Sequence, residues 1–88
     1  MPKVHSKHVQ PLTGPKKAFG EAFRNLREKR GKSQELVCEQ ARCDRTTISL
    51  IERGLVSPKL ETIVRLCKAI SILPSEAMKH MEKSRFYS

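Results

Sequence analysis

The amino-acid sequence predicts an all-α domain built from five helices. Apolar residues recur at intervals of three and four through most of the chain after position 17, which is the period of helices with one buried face. No segment shows the strict apolar–polar alternation that is typical of a half-buried strand. Cap-forming residues and glycines separate the helical segments, leaving links of roughly two to six residues. Together these observations predict a helical domain over positions 18–83.

The first predicted helix has an apolar stripe at i, i+3, i+4 and i+7, formed by Phe19, Ala22, Phe23 and Leu26. It should stop at Gly31, after a basic run that suits the negative end of the helix dipole. Ser33 is a suitable N-cap for a second helix, which ends near Arg42 and whose inward face is formed by Val37, Cys38 and Ala41. The second helix is therefore only about two turns long.

A third short helix is predicted between Asp44, a cap-type residue, and Gly54, a residue that commonly ends helices. Ile48 and Ile51 stand three apart and give it one narrow apolar edge. Its outward face carries Arg45, Thr46, Ser49 and Leu50, where a helix exposed only to water would more often carry Lys, Glu and Gln. The composition of this face predicts contact with a partner.

Two further helices complete the prediction. Ser57-Pro58 predicts the start of a fourth helix, because proline is tolerated in the first turn of a helix. Apolar residues then continue with helical spacing at Leu60, Ile63, Val64, Cys67 and Ile70. The sequence SILPSE interrupts the period, and Met78 and Met81 then share a face of a fifth helix. We expect residues 84–88 to fray into a tail.

The charge balance favours a polyanionic partner. The 88-residue chain has 18 Lys and Arg against 9 Asp and Glu, a formal net charge of +9. It has no Trp, one Tyr and three Phe, which argues against stacking platforms for single-stranded nucleic acid and favours a duplex. No apolar run is long enough to span a membrane and no signal segment is evident, so we expect a cytoplasmic protein.

The sequence offers no set of residues for catalysis or for a cofactor. Cys38, Cys43 and Cys67 lack disulfide or zinc spacing, and buried reduced thiols are the simpler interpretation. The three histidines form no ligand set, and neither a second carboxylate nor a nucleophile accompanies Glu52. We therefore expect a binding protein rather than an enzyme, with no metal and no cofactor.

Residues 1–17 read as a flexible basic arm, because they carry three prolines and four lysines, no acidic residue and no apolar period. Two interpretations stay open for this arm. It is either a disordered tail without a function or an auxiliary segment that contacts phosphates or a minor groove.

The second and third helices have the layout of a helix-turn-helix DNA-binding motif, because both are short and a tight turn joins them. The outward face of the third helix also carries side chains that can form hydrogen bonds. In that layout Arg45, Thr46, Ser49 and Leu50 face base edges in the major groove. Arg45 suits a guanine, and Leu50 suits a thymine methyl group. Thr47 serves either a phosphate or the first turn of its own helix.

The chain also resembles a known family through several linked elements. These are Leu-Arg in the first helix, G-x-S-Q-E opening the second, D-R-T-T-I-S and I-E-R-G bounding the third, and P-x-L-E-T opening the fourth. In this order they resemble the Cro/phage-repressor-type helix-turn-helix regulators, which include restriction–modification controller proteins. The resemblance covers Phe19 to about Met78 without a gap, and it implies a five-helix lambda-repressor-like fold.

The N-terminal end of the second helix is expected to lie on the DNA backbone. Free N–H groups at Ser33 and Gln34 can hold a phosphate, and the Gln34 amide adds a donor. Further phosphate candidates are Arg53 and Lys59, with Arg24 and Lys32 nearby.

The resemblance implies one structural ion pair, between Arg27 and Glu52, which ties the first helix to the third. One departure from the family concerns the turn, where a glycine is usual and this chain has Arg42. The usual glycine favours a left-handed backbone there, so we expect either mild strain or a different shape of the turn.

The leading functional interpretation is a sequence-specific transcriptional regulator that binds a pseudo-palindromic operator as a homodimer. The apolar residues expected to form the dimer are Ile72, Leu73, Met78 and Met81. The alternative is an interaction module, such as an antitoxin, that keeps the fold and binds a protein partner through the apolar loop Leu55-Val56 and the fifth helix. Exposed Leu36, Leu55 or Val56 would mark such a partner surface.

Overall fold

A computed structural model describes residues 13–87 and contains five α-helices. They are α1 (Pro15–Lys29), α2 (Gln34–Ala41), α3 (Arg45–Glu52), α4 (Leu60–Ala69) and α5 (Pro74–Lys83). No strand occurs within the described residues, so the predicted all-α, five-helix class is confirmed. None of these helices is long and apolar enough to cross a membrane.

One apolar core holds all five helices together. The stripe predicted for α1 is buried, and the Phe19 and Phe23 rings stack with centroids 6.2 Å apart. The inward faces predicted for α2 and α3 are buried too, at Val37, Ile48 and Ile51. α1 packs on α3 and α5, while α4 packs on α2 and α5. The helix-turn-helix pair is thus held from both sides.

The prediction for the N-terminal arm was wrong at its inner boundary. α1 begins at Pro15, so residues 15–17 form its first turn and not the end of an arm. Proline is favoured at a first helical position because its missing N–H would have no partner there, and Gly14 before it takes a positive φ of 96°. The rest of the predicted arm, residues 1–12, lies outside the described residues.

The predicted frayed tail was also wrong, for residues 84–87. The backbone N–H of Gly14 donates to the carbonyl of Phe86 at 2.6 Å, and the Ser84 hydroxyl donates to Glu21 Oε1 at 2.6 Å. These contacts hold the C-terminal segment against the first turns of α1. Position 88 lies outside the described residues.

α4 begins later than the sequence predicted. Its first residue is Leu60, with Lys59 extended at the N-cap, so Ser57-Pro58 belongs to the preceding loop. As a result Leu60 is 71% exposed, and the buried face contains Leu66, Cys67 and Ile70. Leu60 stands at the N-terminal end of α4, before the buried face begins.

Basic side chains cap the C-terminal end of α4. Ser71 follows with φ of 61°, and the N–H of Ile72 donates to the carbonyl of Cys67 at 2.9 Å, as in a Schellman motif. Arg30 Nη1 donates to the carbonyl of Ser71 at 3.0 Å, and Lys32 Nζ donates to that of Ala69 at 3.1 Å. Lys32 was a candidate phosphate ligand, but its ammonium is engaged inside the fold.

A close approach of α1 to α3 fixes where α3 sits. A Cβ on Gly20 would overlap the carbonyl oxygen of Ile51 and would lie 2.9 Å from that of Glu52. Only glycine therefore lets the two backbones come this near. At the end of α3, Gly54 has φ of 77° and lies against Lys17 of α1.

Candidate nucleic-acid interface

The outward face of α3 and the start of α2 form one shallow recess. Its lining consists of Gln34, Arg45, Thr46, Ser49, Leu50 and Arg53. The structure therefore brings together all four residues predicted to read bases and two of those predicted to bind phosphates. The recess contains donors, hydroxyl groups and one aliphatic side chain, which is the mixture that the edges and methyl groups of bases can use.

Arg45 stands at the first position of α3 and is exposed to solvent. Its Nη1 lies 3.5 Å from Glu35 Oε2 of α2, in an ion pair whose two side chains are both largely exposed. Exposed pairs of this kind contribute little, from about 0 to 1 kcal/mol. Arg45 can therefore leave Glu35 for another acceptor at small cost.

α3 starts at the predicted residue, but without the predicted side-chain cap. Asp44 occupies the N-cap position with extended backbone angles, and its carboxylate makes no capping hydrogen bond. The cap of α2 does form, because Ser33 Oγ accepts from the N–H of Leu36 at 3.1 Å. The N-terminal N–H groups of α2 thus stand at the exposed rim of the molecule, beside Ser33 and Gln34.

The ion pair implied by the family resemblance is present. Arg27 donates from Nε to Glu52 Oε2 at 2.7 Å and from Nη2 to Oε1 at 2.9 Å. Arg27 Nη1 also donates to the carbonyl of Lys32 at 2.8 Å, and Gln34 Nε2 donates to Glu52 Oε1 at 2.9 Å. The hydrogen bond to Glu52 raises the pKa of Arg27 above its ordinary value, although burial opposes this shift. This network fixes the start of α2 relative to the end of α3.

Two further phosphate candidates lie in a neighbouring recess. Thr47 and Lys59 line it from α3 and from the loop before α4. Arg42 and Arg65 line the same recess, and both were absent from the sequence-based site. Arg65 Nε donates to the carbonyl of Ala41 at 2.9 Å and so caps the C-terminal end of α2. No sequence signal pointed to Arg65, because its role depends on how α4 crosses α2.

The turn between α2 and α3 keeps the left-handed backbone that a glycine would favour, although its residue is Arg42. Arg42 adopts φ of 54° and ψ of 52°, at a position where the resembling family usually has glycine. The N–H of Cys43 donates to the carbonyl of Cys38 at 3.1 Å, which closes the turn. A left-handed conformation costs a non-glycine residue roughly 1–2 kcal/mol.

One of the four residues predicted for a dimer interface belongs to the core. Ile72 is only 6% exposed, because the Schellman motif after α4 turns it inward, so its assignment to the interface was wrong. Leu73 is 65% exposed. Met78 and Met81 are half-buried and line an apolar groove together with Phe19 and Ile63.

The cysteines lie in the interior or near it. Burial raises the pKa of the Cys67 thiol to about 11, and it also raises the pKa values of Cys38 and Cys43. All three are free thiols. Over residues 13–87 no group of three His, Cys, Asp or Glu side chains could hold a metal ion.

The family and the fold are those of DNA-binding helix-turn-helix transcriptional regulators of the Cro/repressor type. A profile of the family described as "Helix-turn-helix domain" matches residues 18–77. The chain therefore belongs to the helix-turn-helix domain family.

Solved structures agree with this assignment. The restriction-modification controller protein C.AhdI from Aeromonas hydrophila is 34% identical, with a TM-score of 0.67 over 69% of this chain and 92% of that one. The clp gene regulator ClgR from Corynebacterium glutamicum is 24% identical, with a TM-score of 0.78 over 86% and 96% of the two chains.

A mutant of the restriction-modification controller protein C.Esp1396I is 19% identical, with a TM-score of 0.75 over 83% of this chain and 92% of that one. This likeness and that to ClgR, at such identities, show the fold alone. A search among curated proteins gave no match.

Proposed function

We propose that this regulator binds a specific pseudo-palindromic operator as a homodimer and reads it with the outward face of α3. The observation that carries the proposal is the single recess that joins Arg45, Thr46, Ser49 and Leu50 to Gln34 and Arg53. Base-reading groups at its centre and phosphate-binding groups at its edge match the way a recognition helix sits in a major groove.

The base contacts follow from the chemistry of the side chains. The Arg45 guanidinium can donate two hydrogen bonds to O6 and N7 of a guanine. Leu50 and the Thr46 methyl group can pack against the methyl group of a thymine, and the Ser49 hydroxyl can donate or accept. The side chains that read bases thus span two turns of α3, from its first residue to its sixth.

The phosphate contacts are divided between the two sides of the reading face. The Gln34 amide has two N–H donors, of which one is bound to Glu52, so the other is available for a phosphate oxygen next to Ser33. Arg53 lies on the same side, while Thr47 and Lys59 face the neighbouring recess. Contacts on both sides would fix the register of α3 in the groove.

The proposed dimer uses the apolar surface around α5. Leu73 lies exposed at the N-cap of α5, and Met78 and Met81 of the same helix line an apolar groove. Two protomers related by a two-fold axis would present their recognition helices to half-sites about 34–36 Å apart. The likeness to C.AhdI supports control of restriction–modification genes as the biological role.

Selection of bound sequences from a pool of random duplexes tests this proposal. We expect enrichment of one motif with two-fold symmetry, whose half-sites are separated by about one helical turn. Enrichment of an asymmetric motif would contradict the homodimer. If no motif is enriched and a toxin-like protein binds in its place, the antitoxin-like interpretation is correct instead.

A further inference from the structure

Three residues outside the family match form a charged cluster where the two ends of the described chain meet. Lys17 Nζ lies 5.1 Å from the centroid of the Phe86 ring, and the Arg85 guanidinium carbon lies 5.1 Å from the same centroid. Both distances are within the range of cation–π interactions. The helix-turn-helix match covers residues 18–77, so this Lys17–Arg85–Phe86 cluster is an addition to the family domain.

The fold holds the cluster in place. The carbonyl of Phe86 accepts a hydrogen bond from Gly14, and Ser84, two residues earlier, donates to Glu21 of α1. The Phe86 N–H donates to Ser84 Oγ at 3.1 Å, which closes the segment into a turn. One aromatic ring therefore orders two cations that are 68 positions apart in the sequence.

Neither cation forms an ion pair within residues 13–87. Of the acidic side chains that share a recess with them, Glu28 pairs with Arg24 and Glu52 pairs with Arg27, while Glu21 accepts a hydrogen bond from the neutral Ser84 hydroxyl and keeps its charge. Neither Lys17 nor Arg85 has an acidic side chain within ion-pair distance in that part of the chain. Two unpaired cations against one unpaired carboxylate, Glu21, leave this face with a net positive charge, which attracts an anion.

The cluster also lies beside the end of the recognition helix. The Lys17 side chain packs against Gly54, and the preceding residue, Arg53, lines the recess of α3. Phosphates of a duplex seated on α3 would continue past Arg53 in this direction, at intervals set by the nucleic acid backbone.

We propose that Lys17 and Arg85, ordered by the Phe86 ring, form a second binding surface for the DNA backbone outside the helix-turn-helix. The inference deepens the proposed function and rests on it, since it assumes that α3 lies in the groove. The partner is the phosphate backbone of the duplex that flanks each half-site, so the contact adds affinity without adding sequence preference.

The test measures the affinity of the full chain for an operator duplex and for an unrelated duplex over a series of salt concentrations. Arg85→Gln should weaken binding to both duplexes by the same factor and reduce the log–log salt slope by about 0.9 for each protomer bound. Arg85→Lys should keep the slope, because it keeps the charge. Phe86→Leu keeps both charges, and we expect a smaller loss of affinity because the cations are less ordered.

Lys29→Gln is the matched control. It removes one charge from α1 outside the recess of Lys17 and Arg85, because Lys29 lines a different recess together with His80 of α5. We expect it to leave the salt slope unchanged. If Lys29→Gln and Arg85→Gln lower the log–log salt slope equally, the slope depends on the net charge of the protein and not on the position of Arg85, and the inference is overturned.

The remaining outcomes are distinct. If the wild type binds duplexes with a steep salt slope and Arg85→Gln has the same slope, the second surface does not exist while the proposed function stands. If the wild type binds no duplex, both proposals fail.

Discussion

Arg27 of α1 and Glu52 of α3 form a bidentate ion pair in which both side chains are almost fully buried, at 9% and 3% exposure. The same carboxylate accepts a hydrogen bond from Gln34, the residue that we assign to a phosphate. The pair therefore does more than join two helices. In the proposed complex it aligns the phosphate contact of α2 with the base-reading face of α3, so that both can engage one duplex.

Glu52→Gln should lower the free energy of unfolding by about 3 kcal/mol, because it leaves the Arg27 guanidinium buried without a counter-charge. Chemical denaturation in urea measures this change. Glu28→Gln is the control, since it removes the carboxylate of the exposed pair with Arg24 and should cost less than about 1 kcal/mol. Equal losses of unfolding free energy for the two substitutions would contradict a larger contribution of the buried Arg27–Glu52 pair to stability.

Gly20→Ala should destabilise the protein, although glycine to alanine inside a helix usually adds about 1 kcal/mol of stability. The new Cβ would overlap the backbone carbonyl of Ile51, which has no flexible end that could move aside. We expect a net loss of about 1–3 kcal/mol in thermal or urea unfolding. Asn25→Ala, at an exposed position of the same helix, should be neutral or slightly stabilising. A stabilised Gly20→Ala variant would contradict the close approach of α1 to α3.

Arg42→Gly should stabilise the protein by about 0.5–1 kcal/mol, because glycine adopts the left-handed conformation of the turn without a steric penalty. Arg42→Ala removes the same charge but keeps the Cβ, so it should bring no such gain. The difference in unfolding free energy between the two variants, measured by urea denaturation, isolates the steric cost of the left-handed backbone at position 42. If alanine stabilises as much as glycine, the cause is the charge of Arg42 and not its φ angle.

Leu73→Glu should convert the proposed dimer into a folded monomer. The side chain is mostly exposed in the single chain, so a charge there leaves the core intact but opposes an apolar contact between protomers. Analytical ultracentrifugation at micromolar concentration measures the change, with circular dichroism as the check of folding. Leu60→Glu is the matched control, because Leu60 is equally exposed but lies outside the proposed interface. A wild type that stays monomeric with and without operator DNA would refute the dimer.

The inward faces of the helices could be predicted from the sequence because helical periodicity is local. Phe19, Phe23, Ile48 and Ile51 lie where a 3.6-residue repeat places them. The Arg27–Glu52 pair was reached only through the family resemblance, since no local pattern joins residues 25 positions apart.

The errors have a common physical origin in contacts between distant segments. Residues 84–87 are ordered by Gly14 and Glu21 of another part of the chain, and the hydrogen bond of Arg65 to α2 depends on how α4 crosses that helix. For Ile72 the sequence could not decide, because an apolar residue suits a dimer interface and a core equally well. The chain turn after α4, which decides between the two, depends on the left-handed angle of Ser71.

The base-reading role of α3 is the central claim, and the affinity of Arg45→Ala for operator and scrambled duplexes tests it most directly. We predict a loss of about 1–3 kcal/mol on the operator, a relaxed preference at one base pair in each half-site, and little change on scrambled DNA. Gln34→Ala, compared in the same assay, should weaken both duplexes nearly alike, because phosphates carry no sequence. If Arg45→Ala weakens the two duplexes equally, Arg45 binds the backbone and α3 does not read the operator through it.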